Sequence, residues 1–163
     1  MILAIVQARM SSTRLPGKVL KKVNGKPLIE ILFHRLSRSK KIDKVILATS
    51  ENAENNHLAE TIEQLGFDVF RGNEDDVLDR YYQAAKVYKP QVVVRITGDC
   101  PIIDPEVVVK VIEIYQKTNV DYASNTEPPT YPDGLDVEVF SFYSLKEASE
   151  KAKTSHEREH VTP

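Results

Sequence analysis

The sequence predicts an α/β domain: a mostly parallel sheet between two layers of helices, a three-layer αβα sandwich. Three observations carry that expectation. Strand-like and helix-like segments alternate along the whole chain, the connections between them are short, and the first strand-like run, Ile2-Leu3-Ala4-Ile5-Val6, is continuously apolar. A central parallel strand covered on both faces requires such a run. At 163 residues the chain suits one domain, 1–163, and a chain of that size buries roughly 70% of its unfolded surface.

Each element follows from its local pattern. A polar loop runs from the first strand to Lys18. Gly25 and Pro27 then predict a helix opening, with Leu28, Leu32 and Leu36 on one face. Val45-Ile46-Leu47-Ala48 is a second strand, and Leu58, Ile62 and Leu65 stripe a second helix that Gly66 stops. Phe67-Asp68-Val69-Phe70 reads as a short third strand. Val77, Leu78, Tyr81, Tyr82, Ala85 and Tyr88 share one face of a third helix, an aromatic stripe expected to pack in the core. Val92 to Ile96 is a fourth strand. Asp104-Pro105 is a cap followed by a first-turn proline, ahead of Val108, Val111, Ile112 and Tyr115. Val120 to Ser124 is a fifth strand, followed by a proline-rich loop from Asn125 to Gly134. Leu135, Val137 and Val139 then alternate with Asp136, Glu138 and Phe140, which predicts a half-buried strand with two carboxylates on one face. A polar helix near Leu145 to Lys153 closes the chain.

Composition removes several function classes. The formal charge of −2 argues against a general nucleic-acid binder, and 41% hydrophobic residues argue against disorder. No apolar run approaches the roughly 18–20 residues that cross a bilayer, and no basic leader precedes the first strand. The single cysteine rules out an internal disulfide framework, so a reducing cytoplasm is the expected compartment. The near-neutral total hides an asymmetry. Residues 1–44 hold 11 basic and 2 acidic side chains, whereas the remainder holds 11 basic and 22 acidic ones. Outer lysines such as Lys40 and Lys41 read as a solvated helix face.

Right-handed crossovers order the first three strands 3-2-1 and set the fourth on the other side of the first. The switch point then lies between the ends of strands one and four, where open α/β sheets bind ligands. Two loops converge there. Gln7 to Lys18 carries Arg9, Arg14 and Lys18, three hydroxyls and a Pro16-Gly17 turn. It is not a Walker A loop, since Ser12 stands five positions before Gly17, and with one glycine it is not a dinucleotide fingerprint. Arginine forks, a lysine point charge and backbone N–H groups are what a triphosphate needs. The second loop, Thr97-Gly98-Asp99-Cys100-Pro101, sets Asp99 just past a buried strand, where a carboxylate can hold Mg²⁺ beside phosphate oxygens. Gly98 is expected to let the backbone approach a ligand closely, and Cys100 to pack inertly. His156-Glu157-Arg158-Glu159-His160 matches a zinc-protease pattern, but nothing marks the third protein ligand such a site requires.

Five motifs occur in order: Ala8-Arg9-Met10-Ser11-Ser12-Thr13-Arg14-Leu15-Pro16-Gly17-Lys18; Glu74-Asp75-Asp76-Val77-Leu78-Asp79-Arg80-Tyr81-Tyr82; Gly98-Asp99-Cys100-Pro101; Asp133-Gly134-Leu135-Asp136-Val137-Glu138-Val139-Phe140; and Glu159-His160-Val161-Thr162-Pro163. Through them nearly the whole chain resembles the spore coat polysaccharide biosynthesis branch of the cytidylyltransferases, relatives of the acylneuraminate (CMP-sialic acid) and CMP-Kdo synthetases. The resemblance implies a Rossmann-like nucleotidyltransferase fold, CTP as donor, Mg²⁺ as cofactor and an acidic sugar or sugar phosphate as acceptor. It implies that Arg9, Arg14 and Lys18 hold the triphosphate, with Ser12 and Thr97 beside the nucleotide and Ala8 against the base. Asp99 would bind the metal, Arg71 would lie near the nucleotide, and Asp133, Asp136 and Glu138 would face the acceptor. Family members usually continue past the point where this chain stops, with a late segment carrying a second metal carboxylate, so a missing C-terminal segment is expected.

The expected activity is cytidylyl transfer from CTP to a sugar with release of pyrophosphate, serving surface polysaccharide synthesis. CTP and the sugar are the expected partners, with neither nucleic acid nor membrane, and a homodimer is compatible with the sequence. Two alternatives stand beside it. A nucleotide-sugar glycosyltransferase also presents an Asp to a metal and a diphosphate, although here Asp99 is followed by Cys100-Pro101 rather than a second Asp. A domain that binds nucleotide without turning it over is the other.

Overall fold

The computed structural model describes residues 1–12 and 15–163. Strand β1 (Ile2–Gln7) leads through the first loop to a short 3-10 turn at Lys18–Leu20, then to a ribbon of β2 (Lys22–Val23) and β3 (Lys26–Pro27). There follow α1 (Leu28–Leu36), β4 (Lys44–Ser50), α2 (Asn56–Gln64), β5 (Asp68–Gly72), α3 (Val77–Tyr88), β6 (Val92–Thr97) and α4 (Pro105–Thr118). The last elements are β7 (Tyr122–Ser124), β8 (Glu138–Ser141), α5 (Phe142–Lys151) and α6 (Ser155–His160).

Among the described residues the main sheet has six strands in the order β5-β4-β1-β6-β8-β7. The pairs β5–β4, β4–β1 and β1–β6 are parallel, and β8 alone runs against its neighbours. The expected arrangement of the first four long strands is therefore present, with the order reversing between β1 and β6. Alternation along β1 divides the core. Ala4 and Val6 pack with α1, α2 and α4, while Leu3 and Ile5 pack with α3 and α5 on the opposite face. All four residues are fully buried, so both faces of the central strand are covered.

Local chemistry departs from the sequence reading in three places. Asn24 and Gly25 both have positive φ, 50° and 80°, and form the tight turn between β2 and β3. Asn-Gly is the favoured pair for such a turn, so Gly25 serves the ribbon, and α1 begins only at Leu28. Val120 stays outside β7 because Asn119, with φ 52°, ends α4 in a left-handed turn that must first be absorbed. The strand at β8 is not half-buried. Val137 and Val139 join one core, but Phe140 is also buried, in the other.

The helix at the zinc-protease pattern is explained by capping. The Glu157 carboxylate accepts from the backbone N–H groups of Lys153 and Thr154 at 2.9 and 2.8 Å, while the Thr154 hydroxyl caps the Glu157 N–H. Among the described residues no three His, Cys, Asp or Glu side chains are grouped to hold a metal. Asp76 joins α6 to α3. Its carboxylate accepts from the Asp79 N–H at 2.9 Å as N-cap and takes the Arg158 guanidinium at 2.6 to 3.0 Å. Asp76→Ala removes both contacts. Loss of the cap is expected to cost about 1–2 kcal/mol, and the melting temperature should fall by roughly 3–8 °C. An unchanged melting curve would show that the α3–α6 tie carries no stability.

Candidate functional site

The two loops predicted to converge do meet. β1 and β6 end in register, Gln7 opposite Thr97, and the Gly98 N–H donates to the Gln7 carbonyl at 2.7 Å. A Cβ on Gly98 would stand 2.6 Å from Ala8 Cβ and 2.9 Å from the Gln7 carbonyl oxygen. The missing side chain therefore serves contact between the two strand ends, and Gly98 also lines the cavity around the loops.

The first loop is held from below and within. The Met10 carbonyl accepts from the Ser12 and Gly17 N–H groups at 2.9 and 3.0 Å. The Met10 N–H donates to the Asn55 side chain at 2.8 Å, and that fully buried amide donates in turn to Ser50 Oγ at 2.7 Å. Asn55 has no distinguishing signal in the sequence, since its role comes from a contact 45 positions away. The Leu15 N–H donates weakly to Ser12 Oγ at 3.4 Å. Thr13 and Arg14 lie outside the described residues, so the expectation placed on Arg14 is neither met nor missed here.

Around these loops lies a cavity of about 950 Å³. Ala8, Arg9, Ser12 and Lys18 line it from the first loop and Thr97 and Asp99 from the second, with Asp133 and Asp136 on the β7–β8 connection. Lys18 Nζ stands 3.7 Å from Asp99 Oδ2, both in the wall of the cavity. Partial burial pushes the Asp99 carboxyl up, but its hydrogen bond with Thr97 and the charge of Lys18 more than offset this, leaving it below the ordinary aspartate value. Asp136 moves the other way, raised by burial and then by the negative charges of Asp133, Asp99 and Glu138. Cys100 is buried, and burial pushes its thiol up, as expected of inert packing.

A second, polar cavity of about 610 Å³ adjoins the first, with Gln7 and Arg9 in the walls of both. Gln7 Oε1 is buried and receives no hydrogen bond among the described residues. Glu74, Arg95, Arg158 and His160 line this cavity, and none of them was singled out as a site residue from the sequence. Two expected residues lie elsewhere. Arg71 donates from Nε to the Ser50 carbonyl at 3.1 Å, and from its terminal nitrogens to Asn56 Oδ1 and the Asn52 carbonyl at 2.8 and 3.0 Å. It lines neither cavity and ties β5 to α2 instead. Glu138 pairs with its cross-strand neighbour Arg95 at 2.7 Å, both side chains mostly buried, and accepts from Thr162 Oγ1 at 2.9 Å. It lines neither cavity.

The first cavity sets phosphate-type cations and three aspartates at the switch point of this sheet and draws on three of the five ordered motifs, and the adjoining cavity adds the other two. The cytidylyltransferase family model matches residues 3–163. The chain belongs to the cytidylyltransferase family. It is 46% identical over 162 residues to an uncharacterized protein of Methanocaldococcus jannaschii, covering 99% of this chain and 65% of that one. It is 39% identical over 166 residues to the spore coat polysaccharide biosynthesis protein SpsF of Bacillus subtilis, covering 99% and 68%. A cytidylyltransferase structure from Leptospira borgpetersenii superimposes with a TM-score of 0.94 at 32% identity, over 99% of this chain and 69% of that one. The fold is thus the αβα nucleotidyltransferase fold of this family. The chain spans about two thirds of the length of these relatives. No helix among the described residues is long and apolar enough to cross a membrane.

Two substitutions probe this cytidylyltransferase site. Gly98→Ala forces the strand ends apart and is expected to destabilise the fold by about 1–3 kcal/mol, measured by denaturant unfolding; wild-type stability would mean the two ends separate freely. Asp136→Asn removes a repelled negative charge and should raise the melting temperature at neutral pH by roughly 1–3 °C. Because the native carboxyl is raised, lowering the pH protonates Asp136 and makes it resemble Asn, so the gap should close as pH falls. A gap that widens on acidification would contradict the assigned repulsion.

Proposed function

We propose that the protein transfers the cytidylyl group of CTP to a hydroxyl of an acidic or phosphorylated sugar, releasing pyrophosphate, in cytoplasmic synthesis of a surface polysaccharide. One observation carries this reading: in a cytidylyltransferase, Lys18 and Asp99 pair at 3.7 Å in the wall of a cavity that Arg9 also lines. The similarity to a spore coat polysaccharide protein supports the biosynthetic setting.

In this mechanism the triphosphate lies along the first loop, with Ala8, Ser12 and Thr97 against the nucleotide. The acceptor oxygen attacks the α-phosphorus in line, the bond to the bridging oxygen breaks, and negative charge accumulates on the departing pyrophosphate. Arg9 and Lys18 neutralise that charge, since phosphoryl chemistry asks a protein chiefly for positioning and electrostatic stabilisation. Lys18 changes partner on binding, leaving Asp99 for phosphate oxygens.

The donor set fits Mg²⁺. Asp99 offers an ionised carboxylate, Asp136 is raised by burial and then by crowding among carboxylates, and Mg²⁺ needs only one or two such groups when phosphates supply the rest. Bound at Asp99, Mg²⁺ would supply charge neutralisation across the phosphates. Asp136, open on the same cavity, receives the acceptor hydroxyl's proton, while Glu138 is committed to Arg95. The second cavity takes the sugar ring, because the acceptor must reach the α-phosphorus from a neighbouring space and the two cavities share Gln7 and Arg9. The buried Gln7 Oε1 is an acceptor suited to a sugar hydroxyl.

The test is a pyrophosphate-release screen of nucleoside triphosphates against acidic sugars and sugar phosphates. CTP should be the preferred donor, and Asp99→Asn should lower turnover by about 100-fold or more. CTP binding without pyrophosphate release would favour the non-catalytic alternative, and an unchanged Asp99→Asn rate would remove the metal role.

A further inference from the structure

We infer that Glu74 is a positioning residue, which holds Arg9 and Ser11 of the first loop in the orientation that receives the nucleotide phosphates. The inference rests on the nucleotide reading above and deepens it at one residue. Glu74 Oε1 accepts from Arg9 Nη1 at 2.8 Å and from Ser11 Oγ at 2.7 Å, and Glu74 Oε2 accepts from Asn52 Nδ2 at 3.4 Å. Two polar side chains of the first loop therefore end on one carboxylate oxygen, contributed by the β5–α3 connection more than 60 positions away.

Glu74 is itself anchored. Asn73 Oδ1 accepts from the Asp75 and Asp76 N–H groups at 2.8 and 2.9 Å, which fixes the turn that carries Glu74. Arg80, fully buried beneath that turn, donates from Nη1 to the carbonyls of Asn73 and Glu74. Only 17% of the Glu74 side chain is exposed, against 41% for Arg9. The rigid partner is thus the carboxylate, and the adjustable one is the arginine. Burial pushes the Glu74 carboxyl up, but hydrogen bonds with Ser50 and Ser11 and the Arg9 charge bring it below its ordinary value, so it stays ionised at neutral pH.

The geometry leaves Arg9 with work to do. Glu74 takes one terminal nitrogen of a guanidinium that carries five N–H donors, so the remaining edge stays available to phosphate oxygens. Arg9 borders both cavities, and a long unrestrained side chain there would lose rotamer freedom on binding. Glu74 removes that freedom in advance. The opposing effect is its own negative charge near the phosphates. Partial neutralisation by Arg9 and solvent screening reduce that effect, so orientation outweighs it.

The experiment is calorimetric titration of Mg²⁺·CTP into the whole chain and its Glu74→Ala, Glu74→Gln, Arg9→Ala and doubly substituted forms. Glu74→Ala and Arg9→Ala should each weaken CTP binding by about tenfold, and the double variant should be weaker than Arg9→Ala by far less than a further tenfold, because Glu74 acts chiefly through Arg9 and only in part through Ser11. Glu74→Gln, which keeps an acceptor oxygen, should recover most of the loss. Should Glu74→Ala fail to fold, Glu74→Asp replaces it in the same cycle, retracting the carboxylate by one methylene. Additive losses, or wild-type affinity in Glu74→Ala, overturn the inference while leaving the nucleotide reading intact. A wild-type chain that ignores CTP and every other nucleoside triphosphate overturns that reading, and the positioning role falls with it.

Discussion

Where β1 and β6 end, the Gly98 N–H reaches the Gln7 carbonyl at 2.7 Å and the Gly98 backbone lies against Ala8 with no room for a side chain between them. Parallel pairing brings the two strands out at the same level, and this contact keeps them together for one residue beyond the ladder. The first loop and the second loop therefore start from the same point in space. Lys18 and Asp99, 81 positions apart, can then pair in the wall of one cavity. Helices packed on both faces of β1 make the strand too constrained to yield, since its inner residues are fully buried. The site's geometry is inherited from the sheet more than built by its loops.

The charged groups around this point form a graded series. Lys18–Asp99 and Arg9–Glu74 lie at the cavities with at least one partner substantially exposed. Arg158–Asp76 is less exposed, and Arg95–Glu138 is nearly covered. Exposed pairs contribute little to stability and are readily exchanged for ligand charge. The covered Arg95–Glu138 pair is held by cross-strand register and by the Arg95 guanidinium lying 5.9 Å from the centre of the Tyr81 ring. Breaking such a pair would leave a buried charge alone. The exposed Lys18–Asp99 pair is thus suited to exchange of partners, and the covered Arg95–Glu138 pair to permanence.

The fold was largely legible because it rests on local patterns: a continuous apolar run at β1, leucine spacing in α1, and the Asp104 cap that accepts the Glu106 N–H at 2.8 Å. The convergence of the two loops followed from crossover handedness. What escaped were contacts between residues distant in sequence. Glu138 looked like an exposed carboxylate because alternation shows only which face a side chain takes, not that Arg95 stands directly opposite. Arg71 looked available, yet three backbone and side-chain oxygens from the β4–α2 region take its guanidinium. Gly25 was misassigned because glycine before proline is a helix-opening signal and Asn-Gly is a hairpin signal, and the hairpin prevailed. Glu74 sat inside a recognisable motif, but its partnership with Arg9 depends on how β5 lies beside β4 and β4 beside β1.

The connection from β7 to β8 is closed at its neck around the buried Asn125. Asn125 donates from Nδ2 to the Leu135 carbonyl at 2.7 Å and accepts from the Val137 N–H at 2.8 Å. The span between them, which carries Asp133, is a loop whose ends are already joined before its own length matters. Closing a somewhat longer or shorter loop on a fixed neck changes the entropy only with the logarithm of its length. Residues 126–134 can therefore vary in number and content across relatives without disturbing the sheet or the first loop. Change in the composition of this cavity wall can be confined to one segment.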